Sequence, residues 1–149
     1  MADQPRTSTY LKRLSLGLIL ALGVGTGVVT VSNTIWALSR SLPILALWGG
    51  DTVFQILIAS AALILLALLG AAQQLGKRAR RTWIVGICLT VAFWAFYTYG
   101  ITRPYEGGGA DIGLYLLMMI SPLLIVAASL LVSVTSADER SANEARNDG

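Results

Sequence analysis

The sequence predicts an all-α integral membrane protein that crosses the bilayer four times as a four-helix bundle. Of its 149 residues, 55% are hydrophobic and only 13% are charged, whereas a soluble domain carries about 25% charged residues. The charges are clustered, and four long uncharged runs separate the clusters. Each run reaches the ~20 apolar residues that a helix needs to cross a hydrocarbon core ~30 Å thick. Because backbone polar groups in lipid must be satisfied within the segment, the runs are predicted to be helices.

The four spans form one membrane domain between two polar ends. The spans lie near 14–36, 53–75, 82–101 and 112–134, in a domain of 14–134 between a leader of 1–13 and a tail of 135–149. The first span follows a basic leader, as in a signal peptide, but it is longer than the ~7–15 apolar residues of one. We therefore predict an uncleaved anchor. The polar tail of mixed charge is expected to be disordered, or a short frayed helix, on its own.

Basic residues predict the orientation of the spans. Nine of the eleven lysines and arginines fall in the leader, the 76–81 loop and the tail, and two fall on the other side. Because loops rich in Lys and Arg stay in the cytoplasm, both termini are predicted to be cytoplasmic. An amino-acid composition rich in Arg, Ala, Gly and Leu is typical of a bacterium with a GC-rich genome. The expected location is therefore the bacterial cytoplasmic (inner) membrane, as a multi-pass protein.

Small residues in the first span predict a helix-packing face. Gly23 and Gly27 form a G-x-x-x-G pair, and Gly17, Ala21 and Gly25 form a second row. Missing side chains let another helix backbone approach closely. Two interpretations stay open: a docking face for a partner subunit, and packing within the protein's own bundle.

The fourth span combines a proline with a second small-residue stripe. Pro122 lies near the middle of the span, where it removes one helical hydrogen bond and frees the carbonyl of Met118. Broken helices build sites in some transporters, and a tolerated kink is the alternative. Ser129 and Ser133 continue the stripe and are predicted to pack against another helix.

An aromatic cluster is the candidate site for a hydrophobic ligand. Five aromatic residues occur within the seven positions of 93–99, and Trp94 lies deeper than a residue of the interfacial belt needs to be. The candidate ligand residues are Phe93, Trp94, Phe96, Tyr97 and Trp48. A lipid, a quinone or a carotenoid suits such a surface, and ordinary packing is the alternative. The chain has no histidine, which excludes a haem or chlorophyll held through imidazole, and no covalently bound cofactor is expected.

The apolar segment 41–48 is too short to cross the membrane. Ser41 is expected to cap a short helix, because serine is favoured at that position and Pro43 is tolerated in a first turn. The segment is predicted to lie in the outer interface. It serves there as a platform over a lipid, quinone or partner, or as a simple connector.

Two polar loops follow the second and third spans. Lys77, Arg78, Arg80 and Arg81 are expected to hold anionic lipid headgroups, at about 1 kcal/mol per basic residue. The glycine-rich loop 103–111 lacks the spacing of a calcium loop and the context of a phosphate loop. Its acidic residues are predicted to be solvated or to pair with arginine.

The predicted spans contain no Asp, Glu, Lys, Arg or His. Ion-coupled carriers usually place such groups in the membrane, and catalysis needs a nucleophile or an acid–base pair. Cys88 has no basic neighbour in its span, so a structural thiol is predicted. Neither a metal site nor an enzyme is therefore expected, and the scattered basic residues do not predict nucleic-acid binding.

The leading hypothesis is a non-catalytic accessory subunit of a larger bacterial inner-membrane complex. It would pack against helices of other membrane subunits, contact membrane lipids and shield a lipid-soluble cofactor. The alternative is a small homo-oligomeric channel or carrier, with a path lined by Thr26, Thr30, Asn33, Gln55, Ser60 and Ser121. An enzyme acting on lipid is a third hypothesis.

Overall fold

The computed structural model describes residues 4–43, 50–72, 78–104 and 110–147. It contains four helices, α1 (Gln4–Ser39), α2 (Gly50–Ala71), α3 (Ala79–Thr102) and α4 (Ala110–Asn147). Each includes a stretch of at least 21 residues that is long and apolar enough to span a membrane. This confirms the prediction of an all-helical chain with four membrane-length helices. Most of the predicted interfacial segment 41–48, Trp48, Lys77 and the tip of the glycine-rich loop lie outside the described residues.

Helix α1 ends in a left-handed cap. Ser41 has a φ of 54°, and its N–H donates to the Leu38 carbonyl at 3.2 Å, while the N–H of Leu42 donates to the Ala37 carbonyl at 2.9 Å. These two bonds form a Schellman motif with Ser41 at the left-handed position. The expectation that Ser41 caps the start of a short helix is wrong, because this backbone conformation closes the end of α1 instead.

Helix α4 passes through Pro122 without ending. The hydroxyl of Ser121 donates to the Met118 carbonyl at 2.7 Å, which is the acceptor that the proline deprives of its N–H partner. The helix continues to Asn147, beyond the predicted span of 112–134. Residues 123–147 contain neither glycine nor proline and are rich in alanine, which favours continuation of the helix.

Helices α2 and α3 form the centre of the bundle. They contact each other, and both α1 and α4 pack against the two of them. Helices α1 and α4 therefore occupy opposite corners, where each leaves a broad face outside the bundle. One core cluster joins all four helices through Val29, Ala59, Trp94, Tyr97 and Met118, and a second consists of Ala21, Leu63 and Leu66.

Candidate docking face and lipid-facing groove

Gly17, Ala21 and Gly25, the inward row, face α2. A Cβ atom on Gly17 would lie 2.9 Å from the Cβ of Ala67, and Ala21 is fully buried. A Cβ atom on Gly25 would overlap the hydroxyl oxygen of Ser60 and lie 3.0 Å from its backbone nitrogen. The inward row therefore belongs to the protein's own bundle, and α1 and α2 approach closely only because these side chains are small.

Gly23 and Gly27, the outward pair, face away from the bundle. Among the described residues, a Cβ atom on either glycine would meet no atom within 4 Å. Thr30 is also exposed, and the spacing of 23, 27 and 30 places all three residues on one face of the helix. Exposed Ile19 and Val31 flank this face. The outward pair is thus a flat strip on a membrane-length helix that its own bundle leaves uncovered.

The polar residues of the predicted channel path do not share one face. The side-chain amide of Asn33 donates to Gln55 at 3.0 Å, which joins α1 to α2, and Ser121 is bonded to its own helix. Ser60 is fully buried against Gly25, and its hydroxyl finds no hydrogen-bond partner in the described part of the chain. Thr30 lies outside the bundle and Thr26 is half-buried.

The small-residue stripe of α4 faces the bundle interior. Ser129 donates to the Ile125 carbonyl at 2.6 Å and Ser133 donates to the Leu130 carbonyl at 2.7 Å. Ser129 also lies where α3 comes close, because a Cβ atom on Gly86 would be 3.5 Å from its hydroxyl oxygen. Both serines are buried within the bundle.

The predicted aromatic ligand surface is divided between the core and the exterior. Trp94 and Tyr97 are buried, with ring centroids 5.2 Å apart, and Phe93 packs beside both. Phe96 points outward and is 54% exposed, so it does not join them. Successive positions on a helix turn by about 100°, which separates residues that are adjacent in sequence.

A groove opens between α1 and α3, with a volume of about 500 Å³. Its walls, which define the α1–α3 groove, are Gly27, Val28, Val31, Ser32, Ile35, Val91, Trp94, Ala95, Thr98, Tyr99 and Thr102. Of the predicted ligand residues that the structure describes, only Trp94 is among them. The small residues Gly27 and Ala95 form part of its exposed rim, and small residues on two neighbouring helices are the sequence signal for such a groove.

One cation stands at the end of the α1–α3 groove. The guanidinium carbon of Arg103 lies 4.2 Å from the centroid of the Tyr99 ring, and its terminal nitrogen donates to the Tyr99 hydroxyl. Tyr99 is part of the groove wall, so this contact fixes the charge beside the mouth of the groove. The stacking of arginine on an aromatic face orients the side chain, and a guanidinium has five N–H donors in all.

Three basic residues stand exposed at the start of α3. Arg78, Arg80 and Arg81 are all exposed, and this helix has no acidic residue in its first turn. The N-terminus of a helix carries partial positive charge, so these arginines do not neutralise it. Solvent or anionic headgroups are the surroundings that suit them.

The described residues show no cluster of metal-binding side chains, and Cys88 is exposed on α3. Comparisons with protein-family models, with curated proteins and with solved structures find no match. The function is therefore argued from the outward pair and the α1–α3 groove.

Proposed function

We propose that this protein is a non-catalytic accessory subunit of a larger complex in the bacterial cytoplasmic membrane. Its docking surface is the outward face of α1, centred on Gly23 and Gly27. A helix of another subunit packs along this strip, and the bundle behind it holds α1 in place. The α1–α3 groove, which begins at Gly27, provides the surface for a lipid-soluble ligand.

The observation that carries the proposal is the open space beside the outward pair. Lipid tails are as apolar as helix side chains, so close backbone packing drives association of helices in a membrane. Glycine is a poor helix former, at about 1 kcal/mol less favourable than alanine. Two glycines at which a Cβ atom would meet no described atom therefore weaken α1 without benefit to the part of the bundle that the structure describes. A partner backbone in contact with them supplies that benefit.

The distribution of basic residues supports an orientation with both termini in the cytoplasm. The described arginines at the start of α3 are exposed, as expected for residues among headgroups. Loops rich in Lys and Arg remain on the cytoplasmic side. In this orientation Arg103 and the left-handed cap at Ser41 lie on the periplasmic side.

Two observations weigh against the alternative of a channel or carrier. The amides of Asn33 and Gln55 are bonded to each other, and the carbonyl freed by Pro122 is taken by Ser121. These bonds reduce the capacity of both groups to replace the hydration of an ion. We expect the purified protein in liposomes to show no appreciable proton or ion flux. Flux that is abolished by Gln55→Leu would favour the channel.

Co-purification in a gentle detergent tests the proposal. The double variant Gly23→Leu/Gly27→Leu should lose its partner subunits, as measured by mass spectrometry, because leucine side chains hold the partner helix away. The matched control is Gly113→Leu, which changes an exposed α4 glycine where a Cβ atom would likewise meet no described atom within 4 Å. Equal recovery of partner subunits with the double variant and with the control would contradict the proposal. Purification of the wild-type chain without any partner subunit would also contradict it.

A further inference from the structure

The α1–α3 groove has dimensions that suit a hydrocarbon chain. From Val91 to Thr102 the groove follows α3 for about 16 Å at ~1.5 Å per residue. A volume of about 500 Å³ spread over that length corresponds to a cross-section of about 30 Å². The groove is therefore long and narrow enough to take an extended hydrocarbon chain.

The walls of the groove are largely apolar, and the hydroxyls of Ser32 and Thr98 are engaged within the protein. Trp94 forms part of the wall and is only 2% exposed. The hydroxyl of Thr98 lies 2.8 Å from the Ser32 hydroxyl and 2.6 Å from the Trp94 carbonyl. Because these hydroxyls bond to protein atoms, the middle of the groove favours hydrocarbon over the polar ring of a quinone.

Charge at one end of the groove identifies the headgroup. Arg103 is held against Tyr99 by its ring contact and by one hydrogen bond. A guanidinium has five N–H donors, and its planar fork binds phosphate oxygens in pairs. A cation fixed beside the mouth of an apolar groove is complementary to an anionic amphiphile with a phosphate head.

We infer that the α1–α3 groove binds one hydrocarbon chain of an anionic phospholipid, whose phosphate lies on Arg103. This binding needs no partner protein. It is measured on the purified chain, so its failure is distinct from a failure of docking through the outward pair.

The test uses nanodiscs of phosphatidylcholine in which a fixed fraction of lipid carries brominated chains. Bromine quenches nearby tryptophan, and the same measurement on Trp94→Phe isolates the contribution of Trp94. At equal mole fraction, brominated phosphatidylglycerol should reach the Trp94 site with about fivefold higher apparent affinity than brominated phosphatidylcholine, the factor expected for one basic residue. Equal quenching by the two lipids would overturn the inference.

Matched variants locate the lipid. Arg103→Gln should abolish the preference, whereas Arg40→Gln, which changes another exposed arginine outside the groove wall, should retain it. Ala95→Phe should reduce quenching by filling the groove. Ala92→Phe, an exposed position on α3 that does not line the groove, should not. A preference that survives Arg103→Gln, or quenching that Ala95→Phe leaves unchanged, contradicts the inference.

Discussion

The inward row and the outward pair place the same small residues on two sides of one helix. Gly25 lies against Ser60 so closely that a side chain would overlap it, whereas Gly23, two residues earlier, faces open space. A step of two residues turns a helix by about 200°, which accounts for the contrast. The comparison shows that a small residue acquires its role from the surface opposite it. The inward row brings α2 close, and the outward pair leaves a strip for another protein.

The largest change in stability is expected from Gly25→Ala. The added methyl group displaces the Ser60 hydroxyl and presses on its backbone nitrogen, so α1 and α2 must separate. Overpacking of this kind costs about 1–3 kcal/mol. Thermal unfolding in detergent, followed by circular dichroism, should show a clear loss of stability. Adding Ser60→Gly removes the overlapping oxygen and should restore part of the lost stability. A Gly25→Ala protein as stable as the wild type would contradict the inward packing.

A smaller loss of stability is expected from Asn33→Leu. This variant extends the comparison of the inward and outward faces of α1 to polar residues. It removes the bond to Gln55, and interhelical hydrogen bonds in membranes contribute about 0.6 kcal/mol on average. Thr30→Val, on the outward face, should leave the stability of the purified protein unchanged. The combined Asn33→Leu/Gln55→Leu variant should recover some stability, because no amide is then left without its partner. A loss for Thr30→Val equal to that for Asn33→Leu would break the comparison.

The smallest effect is expected from Gly23→Ala, and it has the opposite sign. The methyl group meets no described atom, and alanine favours the helix by up to about 1 kcal/mol over glycine. Much of that gain is lost in a helix already formed in the membrane. We therefore expect the free energy of unfolding to rise by only a few tenths of a kcal/mol. The same unfolding measurement checks this, and a clear destabilisation would mean that Gly23 has a neighbour within the bundle.

The four helices were predictable from sequence because length and hydropathy alone decide whether a helix can cross a membrane. The two glycine rows were predictable as opposite faces, since their spacing determines their angular separation. Which row turns inward was not predictable, because that depends on Ala67 and Ser60 in another helix. The aromatic residues of 93–99 cannot all face one way on a helix, and the structure buries Trp94 and Tyr97 while Phe96 is exposed.

Local backbone chemistry was the other source of error. The free carbonyl at Met118 was predicted correctly from Pro122, but Ser121 supplies a hydrogen bond to it from within the same helix. The cap at Ser41 depends on a positive φ that serine adopts less readily than glycine. The α1–α3 groove was missed because it needs the relative position of two helices that are distant in sequence.

The central claim is that the outward pair docks a partner while the inward row builds the bundle. The most direct test measures partner recovery and thermal stability together for Gly23→Leu/Gly27→Leu and for Gly25→Ala. The account predicts that the outward variant loses the partner but unfolds at the wild-type temperature as a purified protein, whereas Gly25→Ala loses stability. An outward variant that keeps its partner, or that unfolds as early as Gly25→Ala, would contradict it.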